Sequence, residues 1–288
     1  MVHRRMFTAF VAGAVVAAVA AASPAAFAGP SPRPQPAPVS GLSHVGLHYS
    51  TSSNWSGYAT YPSKPSKTKF TAVHGSWTQP SVTCSTGTQY AAFWVGLDGY
   101  NSSTVEQIGT DSDCVNGTAT YYAWYEMYPA YPVDLPTGTY PVAPGDTITA
   151  DVTYDPSSDM FVLDLADGTK WTYSTEQSSP THPRLLSAEW IAEAPSSGSQ
   201  VLPLADFGHV DFSGATATDD SGHTGAIDAS YWSDDNIQLV SSTVTATPGA
   251  LNDTAGGSSF TITVSSSGGG GGGGGGFCPP GLHKKGSC

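Results

Sequence analysis

Phe93-Trp94-Val95-Gly96-Leu97-Asp98-Gly99, Thr104-Val105-Glu106-Gln107-Ile108-Gly109-Thr110-Asp111 and Tyr121-Tyr122-Ala123-Trp124-Tyr125-Glu126-Met127-Tyr128-Pro129 are three short runs rich in aromatic and β-branched residues. Gly, Asn and Ser clusters separate them, so they read as strands joined by turns. Side chains alternate between the two faces of a strand. Trp94 and Asp98 therefore share one face of the first run, opposite Phe93, Val95 and Leu97. Gln107 and Asp111 share a face of the second; Trp124, Glu126 and Tyr128 share a face of the third. If the runs pair as neighbours, carboxyls, an amide and two indoles line one face of one sheet. A solvated outer face is usually Thr, Ser and Lys; this one reads as the floor of a cleft.

A fourth run, Ala188-Glu189-Trp190-Ile191-Ala192-Glu193-Ala194-Pro195, places Glu189, Ile191 and Glu193 on one face by the same period. Together with Ser53-Asn54-Trp55-Ser56-Gly57-Tyr58, these motifs resemble, in order, the signature of the glutamic peptidases (the G1 or eqolisin family). The resemblance spans residues 52 to about 240. It implies an acid endopeptidase on a concanavalin-like sandwich with one bent sheet. It places the catalytic dyad at Gln107 and Glu193 and makes Glu189 a non-catalytic neighbour. It puts Asp98, Asp111 and Glu126 around the dyad and Trp94, Trp124 and Tyr128 in a substrate groove. Pepstatin should not inhibit such an enzyme.

The residues alone leave other roles open. Glu193 on an apolar strand can be a structural, paired carboxyl, although only 10 Lys+Arg are present to pair with it. Gln107 can be a plain strand hydrogen-bonder. Asp98, Asp111 and Glu126 can be solvated or turn-capping acids, and the aromatics can be core. The dyad chemistry is nevertheless sound. A Glu with a pKa of roughly 4.3 is a competent base in an acidic medium. A neutral amide beside it avoids like-charge repulsion and supplies donors for an oxyanion.

The rest of the chain suits one large all-β domain. The 288 residues include 33 Gly and 22 Pro, and only 11% are charged. The fold expected is a two-sheet antiparallel β-sandwich of jelly-roll or concanavalin-like type, over residues 52–266. Asp167-Gly168 marks a tight hairpin within it. Before it, residues 1–28 read as a signal peptide, with Arg4-Arg5, an Ala/Val-rich run and Ala26-Phe27-Ala28. Residues 29–51 read as a Pro-rich linker or short propeptide. Residues 267–288 read as a Gly-rich linker and a small Cys-flanked tail. The protein is thus expected to be secreted and monomeric, with no membrane span once the signal is removed.

Charge narrows the partners. The folded region holds all 23 Asp+Glu against five Lys+Arg, a net of −18. Such a surface repels nucleic acid, and polypeptide is the substrate the resemblance implies. Four cysteines fit export, and proximity suggests Cys84–Cys114 and Cys278–Cys288. No ligand spacing indicates a metal, and no cofactor is expected.

Rival enzyme classes fit less well. A retaining glycosidase needs carboxyls about 5–5.5 Å apart, whereas Glu189 and Glu193 stand roughly 13 Å apart along a strand. A glycoside hydrolase built on cross-strand acids, or a carbohydrate-binding lectin, remains the alternative. A pepsin-like enzyme needs two Asp-Thr/Ser-Gly loops, and only Asp220-Ser221-Gly222 is present.

Overall fold

The computed structural model describes residues 33–46, 48–63 and 68–266. The expected signal peptide, residues 29–32, the Gly-rich run and the Cys278–Cys288 pair lie outside the described residues. The described strands are β1 (Ser43–Gly46), β2 (Tyr49–Ser52), β3 (Trp55–Tyr61), β4 (Phe70–Thr78), β5 (Ala92–Leu97), β6 (Val105–Val115), β7 (Thr118–Tyr128), β8 (Val133–Asp134), β9 (Thr147–Asp155) and β10 (Met160–Asp167). They continue with β11 (Trp171–Gln177), β12 (Ala188–Glu193), β13 (Ser196–Ser197), β14 (Gln200–Val201), β15 (His209–Asp219), β16 (Thr224–Ala226), β17 (Ser233–Val240), β18 (Val244–Pro248) and β19 (Phe260–Ser266). Among the described residues the one helix is a 3₁₀ turn at Asp253–Ala255, and no helix is long and apolar enough to cross a membrane.

Pairing arranges these strands in two layers. One runs β8-β7-β6-β5-β12-β3-β17-β2-β1; the other runs β11-β10-β9-β4-β15-β19-β18. The layers join where β18 pairs with β17 through Leu239↔Ala246. All pairs are antiparallel except β2–β17, which is parallel from Asn236↔Tyr49 to Leu239↔Ser52. Sequence alternation says nothing about strand direction, so this exception was not expected.

The expected faces are present. Phe93, Val95, Leu97, Ile108 and Trp190 turn inward from the first layer to meet Val73, Trp77, Ile148, Val152, Phe161 and Leu163 from the second. Each fully buried side chain of this size contributes roughly 1.5–3 kcal/mol. Strand β10 alternates buried and half-buried residues along its length, as a strand with one core face should. By contrast β5 and β12 are buried throughout, because their second face is also covered. Two glycines permit the close pairing there. A Cβ on Gly57 would stand 2.0 Å from the Trp190 carbonyl oxygen, and one on Gly109 would stand 2.1 Å from that of Phe93.

Local turn chemistry holds the ends of these strands. The chain leaves β5 through Asp98, at φ 68°, a conformation Asp tolerates better than most residues. Cys84 and Cys114 form the expected disulfide, tying the segment before β5 to the end of β6. The hairpin between β10 and β11 closes at Asp167↔Trp171, so its loop includes Lys170 as well as Gly168 and Thr169.

Candidate active site

The second face of β12, β5, β6 and β7 carries the residues the sequence singled out. Register sets their places. Gln107 lies directly opposite Glu126 on β7, Gly109 opposite Trp124, and Asp111 opposite Tyr122. On the other side Gln107 pairs with Gly96, Gly109 with Trp94 and Asp111 with Ala92. Those three β5 residues pair with Glu189, Ile191 and Glu193 of β12. Gly96 and Gly109 leave bare backbone in the middle of this floor. Trp55, Trp94, Trp124, Val105 and Ile191 form an aromatic and aliphatic cluster on it, against which Tyr128 packs half-buried.

Glu193 is fully buried and held on both oxygens. Its Oε1 accepts from the Ala37 N–H at 2.9 Å and from Asn54 Nδ2 at 3.1 Å; its Oε2 accepts from Trp94 Nε1 at 3.0 Å. Along β5, Trp94 lies between Ala92, which pairs with Glu193, and Gly96, which pairs with Gln107. Burial pushes Glu193 well above the usual carboxylate range; the Ala37 N–H and the Asn54 and Trp94 donors oppose the rise, and the charge of Glu126 adds to it. The Asn54 amide is itself oriented, since its Oδ1 accepts from the Ser40 N–H at 2.7 Å and from the Ser52 hydroxyl at 2.9 Å.

Gln107 is also fully buried, and its Nε2 donates to Glu126 Oε2 at 2.8 Å. Gln107 Oε1 and Glu126 Oε1 have no hydrogen-bond partner among the described residues. Burial holds Glu126 well above the usual range, with the Gln35 amide, the Arg33 charge and the Gln107 amide working against it.

Asp111 anchors an acidic pocket at the edge of the floor. It accepts from Trp124 Nε1, from the Tyr122 hydroxyl at 2.7 Å and from Arg33 Nη2 at 3.4 Å. The Tyr122 oxygen also lies 2.6 Å from Asp113 Oδ2. A phenol has one proton to donate, so one of the two carboxyls supplies the second. Burial, then the Asp111 charge, holds Asp113 well above the usual range, while burial also raises Asp111 and Arg33 opposes that rise.

The structure thus brings Gln107, Glu193, Glu126, Trp94, Trp124, Tyr128 and Asp111 to one face, with Glu126 alone of the three expected acids touching Gln107. Asp98 does not join them. Its carboxyl turns away to accept the N–H groups of Arg184, Leu185 and Leu186 at 2.8, 2.7 and 2.9 Å. Strand alternation ends at Leu97, and the positive φ of Asp98 redirects its side chain. It belongs electrostatically with Glu106 and Glu189. Burial, then the Asp98 charge, pushes Glu106 up to about 8 and Glu189 well above its usual range. Neither oxygen of Glu189 has a hydrogen-bond partner among the described residues. Asn54 was quoted in a motif without a role, and Arg33, Ala37 and Ser196 carried no sequence signal. No group of acids, His or Cys suited to a metal ion occurs among the described residues.

Comparison with known proteins identifies relatives of this chain. Residues 53–263 match the Peptidase A4 family. Aspergillopepsin-2 of Aspergillus niger is 31% identical over 234 residues, which cover 74% of this chain and 77% of that protein. The crystal structure of scytalido-glutamic peptidase with a transition state analog inhibitor shares the fold, at TM-score 0.60 and 23% identity, over 73% of this chain and 98% of its own. Aspergilloglutamic peptidase from Aspergillus niger superposes at TM-score 0.51 and 27% identity, over 61% of this chain and 98% of its own. The chain belongs to the Peptidase A4 family, the G1 glutamic peptidases, and is a glutamic endopeptidase.

Proposed function

We propose that this protein is a secreted, monomeric endopeptidase that cleaves polypeptides in acid through a Glu193/Gln107 dyad, with no cofactor. The observation that carries the reading is a peptide already lying in the cleft. Residues 33–37 run over the floor, and the Ala37 N–H donates to Glu193 Oε1 at 2.9 Å. The contact puts a main-chain nitrogen within hydrogen-bond reach of the carboxyl that would later protonate a departing amine. The same segment pairs with the backbone of Ser196, Gln35 N–H to Ser196 carbonyl and Ser196 N–H to Gln35 carbonyl, each at 2.8 Å. A surface that hydrogen-bonds main chain recognises polypeptide, whatever its sequence.

The chemistry follows from the two side chains. An amide carbonyl is a poor electrophile, so water must lose a proton as it attacks. Glu193 takes that proton in its ionised form, which burial opposes and the Ala37, Asn54 and Trp94 donors favour. Gln107 Oε1, which has no partner among the described residues, can accept from the attacking water. Gln107 Nε2 provides a donor for the developing oxyanion, a contribution on the order of 3 kcal/mol. Glu193 then returns its proton to the leaving nitrogen. Because β12 and β6 are two strands apart and offset by four residues, about 16 Å separates the two Cα atoms on a flat sheet. On a flat sheet that exceeds what two side chains and one water span, so this reading requires the sheet to bend between β12 and β6.

Digestion of denatured casein across acidic pH, with and without pepstatin, tests this reading. Cleavage should survive pepstatin and vanish in Glu193→Gln. Casein cleavage retained by Glu193→Gln would reject the dyad. Sugar polymer cleavage or binding in its place would favour the glycosidase or lectin alternative, which the family membership does not support.

A further inference from the structure

We infer that Asp113 is a positioning residue for the peptidase reaction: its carboxyl proton, shared through the Tyr122 hydroxyl with Asp111, holds one wall of the cleft in place and confines the enzyme to acid. The inference rests on the peptidase reading of this cleft and gives it a pH limit that the dyad does not supply. A general base works only when ionised, and an amide does not titrate. Glu193 therefore accounts for loss of activity as pH falls and for none as pH rises. An acid enzyme needs another group, one whose proton is required.

Register builds the bridge. Asp111 and Asp113 share a face of β6, and Tyr122 lies directly opposite Asp111 on β7. Both carboxyls are buried, at 3% and 2% exposure. The Tyr122 oxygen stands 2.7 Å from Asp111 Oδ2 and 2.6 Å from Asp113 Oδ2. Two hydrogen bonds that short need two protons, and the phenol has one. Asp111 is the acceptor at both oxygens. Its Oδ1 takes the Trp124 Nε1 hydrogen, and its Oδ2 faces the Arg33 guanidinium. Asp113 Oδ1 accepts from the Ala91 N–H at 3.1 Å, which leaves Oδ2 to carry the proton given to the phenol oxygen. The chain thus runs from the Asp113 acid through the Tyr122 hydroxyl to the Asp111 carboxylate. Burial and the Asp111 charge favour the proton on Asp113, while burial and the two carboxyls keep the phenol from ionising.

Position links this bridge to the dyad. Trp124 and Trp94 flank Gly109 from the two neighbouring strands, within one buried cluster, and Trp94 holds Glu193 Oε2. The charged and titratable groups facing the bridge are Arg33 and Asp134, which pair beside Asp111, Glu126 toward Gln107, and Tyr90 next to Asp113. Arg33 stays charged throughout and is already paired with Asp111 and Asp134. Loss of the Asp113 proton leaves two buried carboxylates with one phenol proton between them. Like charges then drive them apart, which draws Asp111 off Trp124 and loosens the indole wall. A wall that holds substrate acts on KM, whereas the dyad's chemistry acts on kcat.

The test measures kcat and KM on a quenched-fluorescent peptide from acidic to neutral pH, in the full chain and in Asp113→Asn, Asp113→Ala and Glu126→Gln. Infrared difference spectra, parent minus Asp113→Asn, are recorded in parallel. An Asn amide gives the Tyr122 oxygen an N–H at every pH and cannot ionise. In the parent, KM should climb as pH rises while kcat holds. The alkaline limb of kcat/KM should move up by about one pH unit or more in Asp113→Asn. Asp113→Ala, with no bridge, should show a raised KM already in acid. The spectra should contain a protonated carboxyl that disappears over the pH range in which the parent loses activity. A limb unmoved in Asp113→Asn, a limb moved only in Glu126→Gln, or spectra without that carboxyl would overturn the inference and leave the peptidase reading intact. Peptide left uncut by every form at every pH would overturn both.

Discussion

Gln107 and Glu126 face each other directly across β6 and β7, and the Gln107 amide donates to the Glu126 carboxyl at 2.8 Å. An amide must be turned the right way to offer its oxygen to a water and its nitrogen to an oxyanion. Glu126 is the group that fixes this. Glu126→Ala should lower kcat by about 10²-fold, the size expected for a misplaced oxyanion donor, with KM little changed. Glu126→Gln, which still accepts from Gln107, should recover most of that loss. Equal damage from both variants would mean that Glu126 serves folding instead.

Glu193 and Glu189 project from the same face of β12, four residues apart, and register puts Glu189 in line with Gln107. Contacts argue for Glu193, which meets the peptide N–H, Asn54 and Trp94. Glu193→Gln removes both proton transfers and should reduce turnover to background, a loss of at least about 10²–10⁴-fold. Glu189→Gln should keep turnover within about tenfold of the parent. The opposite ranking in steady-state kinetics would move the catalytic role to Glu189.

Asn54 donates to Glu193 and so favours its ionised form. Removing that donor raises the Glu193 pKa further. A general base works only when ionised, so the acid limb of the kcat/KM profile should move to higher pH in Asn54→Ala. Loss of one hydrogen bond to a charged group corresponds to roughly 1.5–3 kcal/mol, enough to move the limb by about one pH unit or more. An unmoved limb would show that Asn54 does not act through Glu193.

Glu106 is pushed up to about 8 from an ordinary 4.5, and Asp98 and Glu189 also lie above their usual values, chiefly through burial. A carboxyl raised on folding binds its proton more tightly in the native state. Its contribution to stability is complete below the unfolded value and is lost as pH climbs through the folded one. Tm should therefore fall between pH 4.5 and above pH 8, by on the order of 10 °C for a domain of this size. Glu106→Gln, neutral throughout, should flatten the fall in a calorimetric pH series. A Tm that rises over this interval would contradict the assignment.

What the sequence by itself determined was local: which side chains share a face of one strand. Alternation along 93–97, 107–111, 124–128 and 189–193 correctly grouped Trp94, Gln107, Asp111, Trp124, Glu126, Tyr128 and Glu193, because a strand's period of two needs no knowledge of its neighbours. It failed at Asp98, where a positive φ ended the strand one residue early. The tertiary structure alone decided what depends on pairing between distant segments. It placed β2 parallel to β17, set Glu126 on Gln107, and gave Asn54 its hold on Glu193. It also turned a proline-rich stretch that reads as spacer into a strap across the cleft. Proline composition announces an extended chain but not where that chain lies. The place was fixed by hydrogen bonds from Gln35 to Ser196 and from Ala37 to Glu193, more than 150 residues away.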